Sequence, residues 1–238
     1  MHLLVIGADH MADEFRNKFG ETFTYTFWSA SSVFEPTDTD DEYDARFQQA
    51  WQPLYDALPR ANAIFIFQQA KWDFLPAETP VFFDTSSSGS ESFSYLFPKA
   101  KIVFGFCGLP TLLNRRLLEV SLYHEADRAK LTETCTALGT DYRVVADRVG
   151  LVTPRVICQI INEACFTVQE GTATMQDVDL SMRLGTSYPR GPFAWANAIG
   201  VARVYAVLEA MWYDTHDERY KVCPLLKRQA LRGEPFAV

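Results

Sequence analysis

The chain has no apolar run near the ~20 residues that cross a bilayer, so a membrane-spanning helix is not expected. It has no surplus of basic residues: 22 Lys and Arg against 30 Asp and Glu leave a formal net charge of −8. Contact with a phosphate backbone draws on clustered cations, so nucleic acid is not an expected partner. It has no Cys-x-x-Cys pair. Cys107, Cys135, Cys158, Cys165 and Cys223 are odd in number and widely spaced, which sets aside a disulfide framework and a zinc site. Residues 1–7 lack the basic and long apolar regions of a secretory signal, and a reducing cytoplasm is the expected compartment. No internal repeat or low-complexity tract stands out apart from the Ser-rich residues 85–94.

What is present is enough apolar material for a substantial core: 48% of 238 residues, with aromatics at 14%. The first half alternates short apolar runs with helical stretches. His2–Ile6 reads as a buried strand ending at Gly7. Residues 11–19 read as helix, and 22–28 alternate with the period of a strand. Residues 35–44 are acidic, contain Pro36 and read as a loop; residues 43–58 return to helical spacing. Further strands are expected over 63–67, 80–84 and 101–105. Strand followed by helix, repeated, predicts an α/β domain with a mainly parallel sheet.

Past residue 150 the pattern is helical. Val152, Val156, Ile160, Ala164 and Val168 recur every four residues beside Ile157, Ile161 and Cys165, which predicts one long helix with a wide apolar stripe. Thr174 with Asp177 resembles a capping box at the start of the next helix. Residues 188–192 form a rigid turn, and 199–213 a further amphipathic helix. The boundary falls near residues 147–150, giving domains 1–148 and 149–238.

Within the second domain stand Asn162-Glu163-Ala164, Val178-Asp179, Met182-Arg183-Leu184-Gly185, Tyr188-Pro189-Arg190-Gly191-Pro192-Phe193, Ile199-Gly200 and Pro224-Leu225-Leu226. In order and spacing this series resembles the C-terminal domain of the 3-hydroxyacyl-CoA dehydrogenases, the 3-hydroxybutyryl-CoA dehydrogenases included. The resemblance implies α/β plus all-α architecture: a shortened Rossmann-like parallel sheet domain, then a helical 6-phosphogluconate-dehydrogenase-like C-terminal domain. It also implies NAD as cofactor, acyl-CoA in the cleft between the domains, a homodimer formed through the helical domain, and a place in fatty acid metabolism.

The first half fits that family less well. Its members open with a strand and Gly-x-Gly-x-x-Gly, where the middle glycine lets backbone approach the pyrophosphate. Here the stretch is Gly7-Ala8-Asp9-His10-Met11-Ala12. Asp9 replaces the middle glycine, adding bulk and a like charge; otherwise it reads as a cap for the following helix, and His10 as a helix-start residue. The acidic residue expected ~20 residues on is missing, since strand two ends Trp28-Ser29-Ala30 and no carboxylate precedes Glu35. Gly7 to Cys107 is also a shorter span than the family pattern leads one to expect.

The family oxidises the C3 hydroxyl with a His as base and a Glu that orients it. Leu117-Leu118-Glu119-Val120 matches the Glu segment. Twelve residues earlier, where the His belongs, stands Cys107. Asp84-Thr85-Ser86-Ser87 matches a substrate-contacting Ser segment, with Ser86 as the equivalent residue. A further Asn is replaced by Pro154, although Arg155 is kept. A thiol beside a carboxylate keeps its proton and makes a poor base, so Cys107 reads as a small buried residue. His2, His10, His124 and His216 lie away from the matched positions. No metal ligand set is evident. The sequence therefore predicts a family homologue with weak or no NAD-dependent activity, a pseudoenzyme. Two rivals remain: an active oxidoreductase with a relocated base, and a non-catalytic protein binding acyl-CoA, a nucleotide or a partner.

Overall fold

A computed structural model describes residues 1–29 and 40–238, with side chains from residue 48 onward in the second stretch. Its contacts divide the chain into two units. The first holds Met1–Asp84, Ser90–Phe106 and Asn114–Val144; the second holds Thr85–Gly89, Cys107–Leu113 and Val145–Val238.

The sheet unit runs β1 (His2–Ile6), α1 (Ala12–Phe19), β2 (Thr24–Trp28), α2 (Asp40–Ala57), β3 (Ala63–Ile66), β4 (Val81–Asp84), α3 (Phe93–Leu96), β5 (Val103–Phe106), β6 (Leu117–Leu122), α4 (Arg128–Ala137) and β7 (Asp141–Val145). The sheet order is β2-β1-β3-β4-β5-β6-β7. Pairings from β2 through β5 are parallel and β5 meets β6 antiparallel, which agrees with the mainly parallel sheet expected. The inner strands are apolar on both faces, as a sheet covered on both sides must be. One face carries Leu4, Ile6, Ile64, Ile66 and Phe83 under Leu54 and Leu58. The other is a phenylalanine layer, where Phe65 stacks on Phe82 at 4.8 Å and Phe15 of α1 meets Phe65 edge-on at 5.1 Å. The helix expected from residue 43 begins at Asp40, so the end of the expected 35–44 loop is helical; residues 35–39 of that loop lie outside the described residues.

The helical unit runs α5 (Thr153–Gln169), α6 (Met175–Gly185), α7 (Pro192–Ile199), α8 (Val201–Thr215) and α9 (Pro224–Arg232). Two expectations need correction. The wide stripe expected from residue 152 is not wholly buried: Val152, just before α5, and Val156 within it are each 52% exposed, while Cys158, Ile161 and Cys165 line the core. The helix expected over 199–213 is α8, but it starts at Val201 and not at Ile199: Ile199 is the last residue of α7, and Gly200 at φ +101° separates the two helices, a conformation L side chains rarely adopt. Thr174 does cap α6, accepting the Asp177 N–H at 3.1 Å.

Candidate functional site: the turn after β1 and the segment around Cys107

In the sheet unit β1 lies between β2 and β3, the strand reversal at whose carboxyl edge open α/β sheets place their ligands. The turn there is Gly7 to Met11. Gly7 has φ +81° and donates its N–H to the Trp28 carbonyl at 2.8 Å. A Cβ on Gly7 would lie 2.6 Å from Cγ of Gln68, so glycine is demanded by conformation and by a packed neighbour alike. Ala8 is fully buried. Asp9, His10 and Met11 form one 3-10 turn, with Met11 buried and its N–H bonded to the Ala8 carbonyl at 2.9 Å. Asp9 and His10 are exposed. Neither this turn nor α1 has a side-chain cap, so the capping role expected of Asp9 is absent. Asp9 instead presents a carboxylate in the first turn, where a pyrophosphate would need bare backbone.

At the end of β2 the expected missing acid is Trp28, 5% exposed. Its indole donates to the Ala50 carbonyl at 2.7 Å and packs 4.6 Å from Trp51. The turn is not bare, and β2 ends in an indole where a carboxylate would accept the ribose, so these described residues do not match a dinucleotide.

Ser86 and Cys107 both fall in the helical unit, whereas Glu119 sits half-buried on β6 of the sheet unit. Cys107 is 4% exposed, in a cluster with Leu109, Leu112, Val149 and Cys158. Burial pushes the Cys158 thiol well above its ordinary range, and the nearby Cys107 adds to the shift. Ser86 is 1% exposed, and the fully buried hydroxyl of Thr85 beside it has no hydrogen-bond partner among the described residues. In the Cys107–Leu113 segment Thr111 adopts φ +67°, an outlier for a β-branched residue, and its hydroxyl accepts the Trp195 indole N–H at 3.1 Å. Pro154 lies buried in the first turn of α5. Arg155 donates to the Tyr220 hydroxyl and to the Val149 carbonyl at 2.6 Å.

The motif residues that carried the resemblance hold the helical unit together. Asp179 accepts the N–H groups of Phe193 at 2.8 Å and Ala194 at 2.9 Å, capping α7 from α6. Asn162 accepts the Cys223 N–H at 2.8 Å and donates to the Lys221 carbonyl at 3.0 Å. A groove of about 370 Å³ runs between α5, α6 and α7 over Ile160, Ala164, Val178, Met182 and Pro192. Among the described residues no group of three or more His, Cys, Asp or Glu could hold a metal ion, and no helix is long and apolar enough to cross a membrane.

Residues 150–235 match the model of the 3-hydroxyacyl-CoA dehydrogenase C-terminal domain. The chain is 42% identical over 87 residues to the 3-hydroxyadipyl-CoA dehydrogenase of Escherichia coli (strain K12), covering 37% of this chain and 18% of that protein. It is 37% identical over 89 residues to a probable 3-hydroxybutyryl-CoA dehydrogenase of Bacillus subtilis (strain 168), covering 37% of this chain and 31% of that protein. The match thus spans less than a third of either relative. In fold, 98% of the chain superposes on 94% of the crystal structure of (S)-3-hydroxybutyryl-CoA dehydrogenase PaaH1 from Ralstonia eutropha, with a TM-score of 0.69 and 19% identity. Such a likeness establishes the architecture, a Rossmann-type sheet with a helical C-terminal part.

Proposed function

We propose that the chain, whose residues 150–235 match the 3-hydroxyacyl-CoA dehydrogenase C-terminal domain, is a homologue of that family that keeps acyl-CoA as its ligand and has weak or no NAD-dependent oxidation of 3-hydroxyacyl-CoA. The observation that carries this reading is the burial of Cys107, at the family His position, in an apolar cluster at 4% exposure. Oxidation at C3 sends a hydride to the nicotinamide while the 3-hydroxyl loses its proton to a base. Compared with an imidazole, a neutral thiol is a poor base for that proton. Pro154 contributes no polar group, and Asp9 adds a carboxylate where phosphate charge would lie. Ser86 is the residue that the family resemblance places against the acyl-CoA.

The same reading assigns the chain a homodimer through its helical unit, in the cytoplasm. In support, Val152 before α5 and Val156 within it are exposed, and α6 exposes Leu180 at 51% and Leu184 at 73%, apolar side chains of the kind that interfaces cover. An active enzyme with a relocated base is the competing reading, and Cys107→Ala tests one form of it: a thiol that takes part in turnover would lose rate on replacement.

Thermal shift tests the ligand. Acetoacetyl-CoA is expected to raise Tm and NAD to leave it in place, since a ligand of the folded state alone stabilises by mass action. A rise with NAD and none with acetoacetyl-CoA would reverse the proposal.

A further inference from the structure

We infer that the chain closes the adenosine end of its own cofactor turn with aromatic side chains, and that Trp28 is the residue that decides this. The inference rests on the family reading only for placing a dinucleotide at the turn after β1. In that arrangement an acid about 20 residues past the first glycine accepts the ribose hydroxyls. Trp28 is the last residue of β2 and stands at that place. An indole has one donor and no acceptor, and the Trp28 donor is committed to the Ala50 carbonyl at 2.7 Å.

The ring cannot serve as a stacking wall either. Trp51 covers it at 4.6 Å, and Trp72 meets it edge-on at 6.3 Å. Trp72 is itself fixed, accepting no movement without cost: its backbone N–H donates to the Leu96 carbonyl at 2.7 Å and its indole to the Gln68 carbonyl at 3.4 Å. Gln68 in turn lays its side chain against Gly7. Trp28, Trp72, Gln68 and Gly7 therefore form one connected packing from the end of β2 to the turn after β1. Admitting adenosine against Trp28 would break the ring packing and set the ribose hydroxyls beside an indole where a carboxylate would accept them.

ADP-ribose is the probe, because it carries the adenosine and both phosphates without nicotinamide. Its binding is followed by tryptophan emission and by the indole N–H resonance of Trp28. Wild type and Asp9→Gly are expected to show no saturable change at millimolar probe, since removing the exposed carboxylate leaves the aromatic closure intact. Asp9→Gly/Trp28→Asp is expected to bind about tenfold more tightly or better. Should that buried replacement fail to fold, Asp9→Gly/Trp51→Ala uncovers Trp28 from a half-buried site, with a gain of the same sign expected. Saturable binding by wild type or by Asp9→Gly alone, or no gain in either double variant, would overturn the inference. The acetoacetyl-CoA thermal shift is independent of these arms, so failure here leaves the acyl-CoA reading standing.

Discussion

Asp179 and Gly191 fit together so closely that a Cβ on the glycine would fall 2.2 Å from the carboxylate carbon. The contact brings the carboxylate onto the start of α7, where it receives the N–H groups of Phe193 and Ala194. Asp179 is 9% exposed. The segment that most strongly marks the family is thus a helix cap built from two helices, and its business is stability.

Asp179→Ala removes a charged cap and leaves two N–H groups unsatisfied, and is expected to cost about 1–3 kcal/mol. Gly191→Ala drives the two segments apart and is expected to destabilise comparably. Urea unfolding followed by circular dichroism measures both. Wild-type midpoints in both variants would show that the contact does not hold α7.

Alkali is expected to weaken the fold through its buried thiols. Burial pushes Cys135 up to about 12, with Lys18 pulling the other way, against an ordinary 9.0; Cys158 and Cys165 are raised by burial as well. Between pH 9 and about 12 the unfolded chain has released the Cys135 proton that the folded chain keeps. The stabilisation is complete below pH 9 and falls as pH rises, by about 1.4 kcal/mol per unit for each such thiol. Lys18, lowered by its own burial, offsets part of this loss. Urea midpoints on either side of pH 9 check it, and Cys135→Ala should flatten the slope. A midpoint indifferent to alkali would contradict the burial of these thiols.

Charge placed on the exposed apolar surface of the helical unit should separate the proposed dimer. Val156→Asp and Leu184→Asp alter residues 52% and 73% exposed, so the fold itself should change by no more than about 0.5 kcal/mol. Sedimentation velocity is expected to show a dimer for wild type and a monomer for the double variant. Equal sedimentation of the two would place any interface elsewhere.

Much of the sheet was legible in the sequence because β1, β3, β4 and β5 are apolar runs with no competing period. β7 was not. Its residues, Asp-Tyr-Arg-Val-Val, are half polar and lie at the sheet edge, where no second neighbour enforces an apolar pattern. Periodicity also foretold α5 without its orientation: apolar rows run down two sides, and only packing selects Cys158, Ile161 and Cys165 for the core while leaving Val152 and Val156 half exposed. The break at Gly200 had a local signal, since Pro192 opens a helix that a glycine can close eight residues later. At the site, sequence spacing located Cys107, Glu119 and Ser86. It could not reveal Trp28 over α2, Gln68 against Gly7, or Thr111 held by Trp195, because each joins residues far apart in the chain and ordinary in isolation.

The most direct measurement is the initial rate of NAD reduction with 3-hydroxybutyryl-CoA at neutral pH, set beside an active 3-hydroxybutyryl-CoA dehydrogenase. Loss of the general base alone predicts a rate lower by about 10²–10⁴-fold, and the mismatched cofactor turn lowers it further. Turnover within tenfold of the active enzyme would contradict the central claim that Cys107 and Asp9 have disabled the chemistry of this fold.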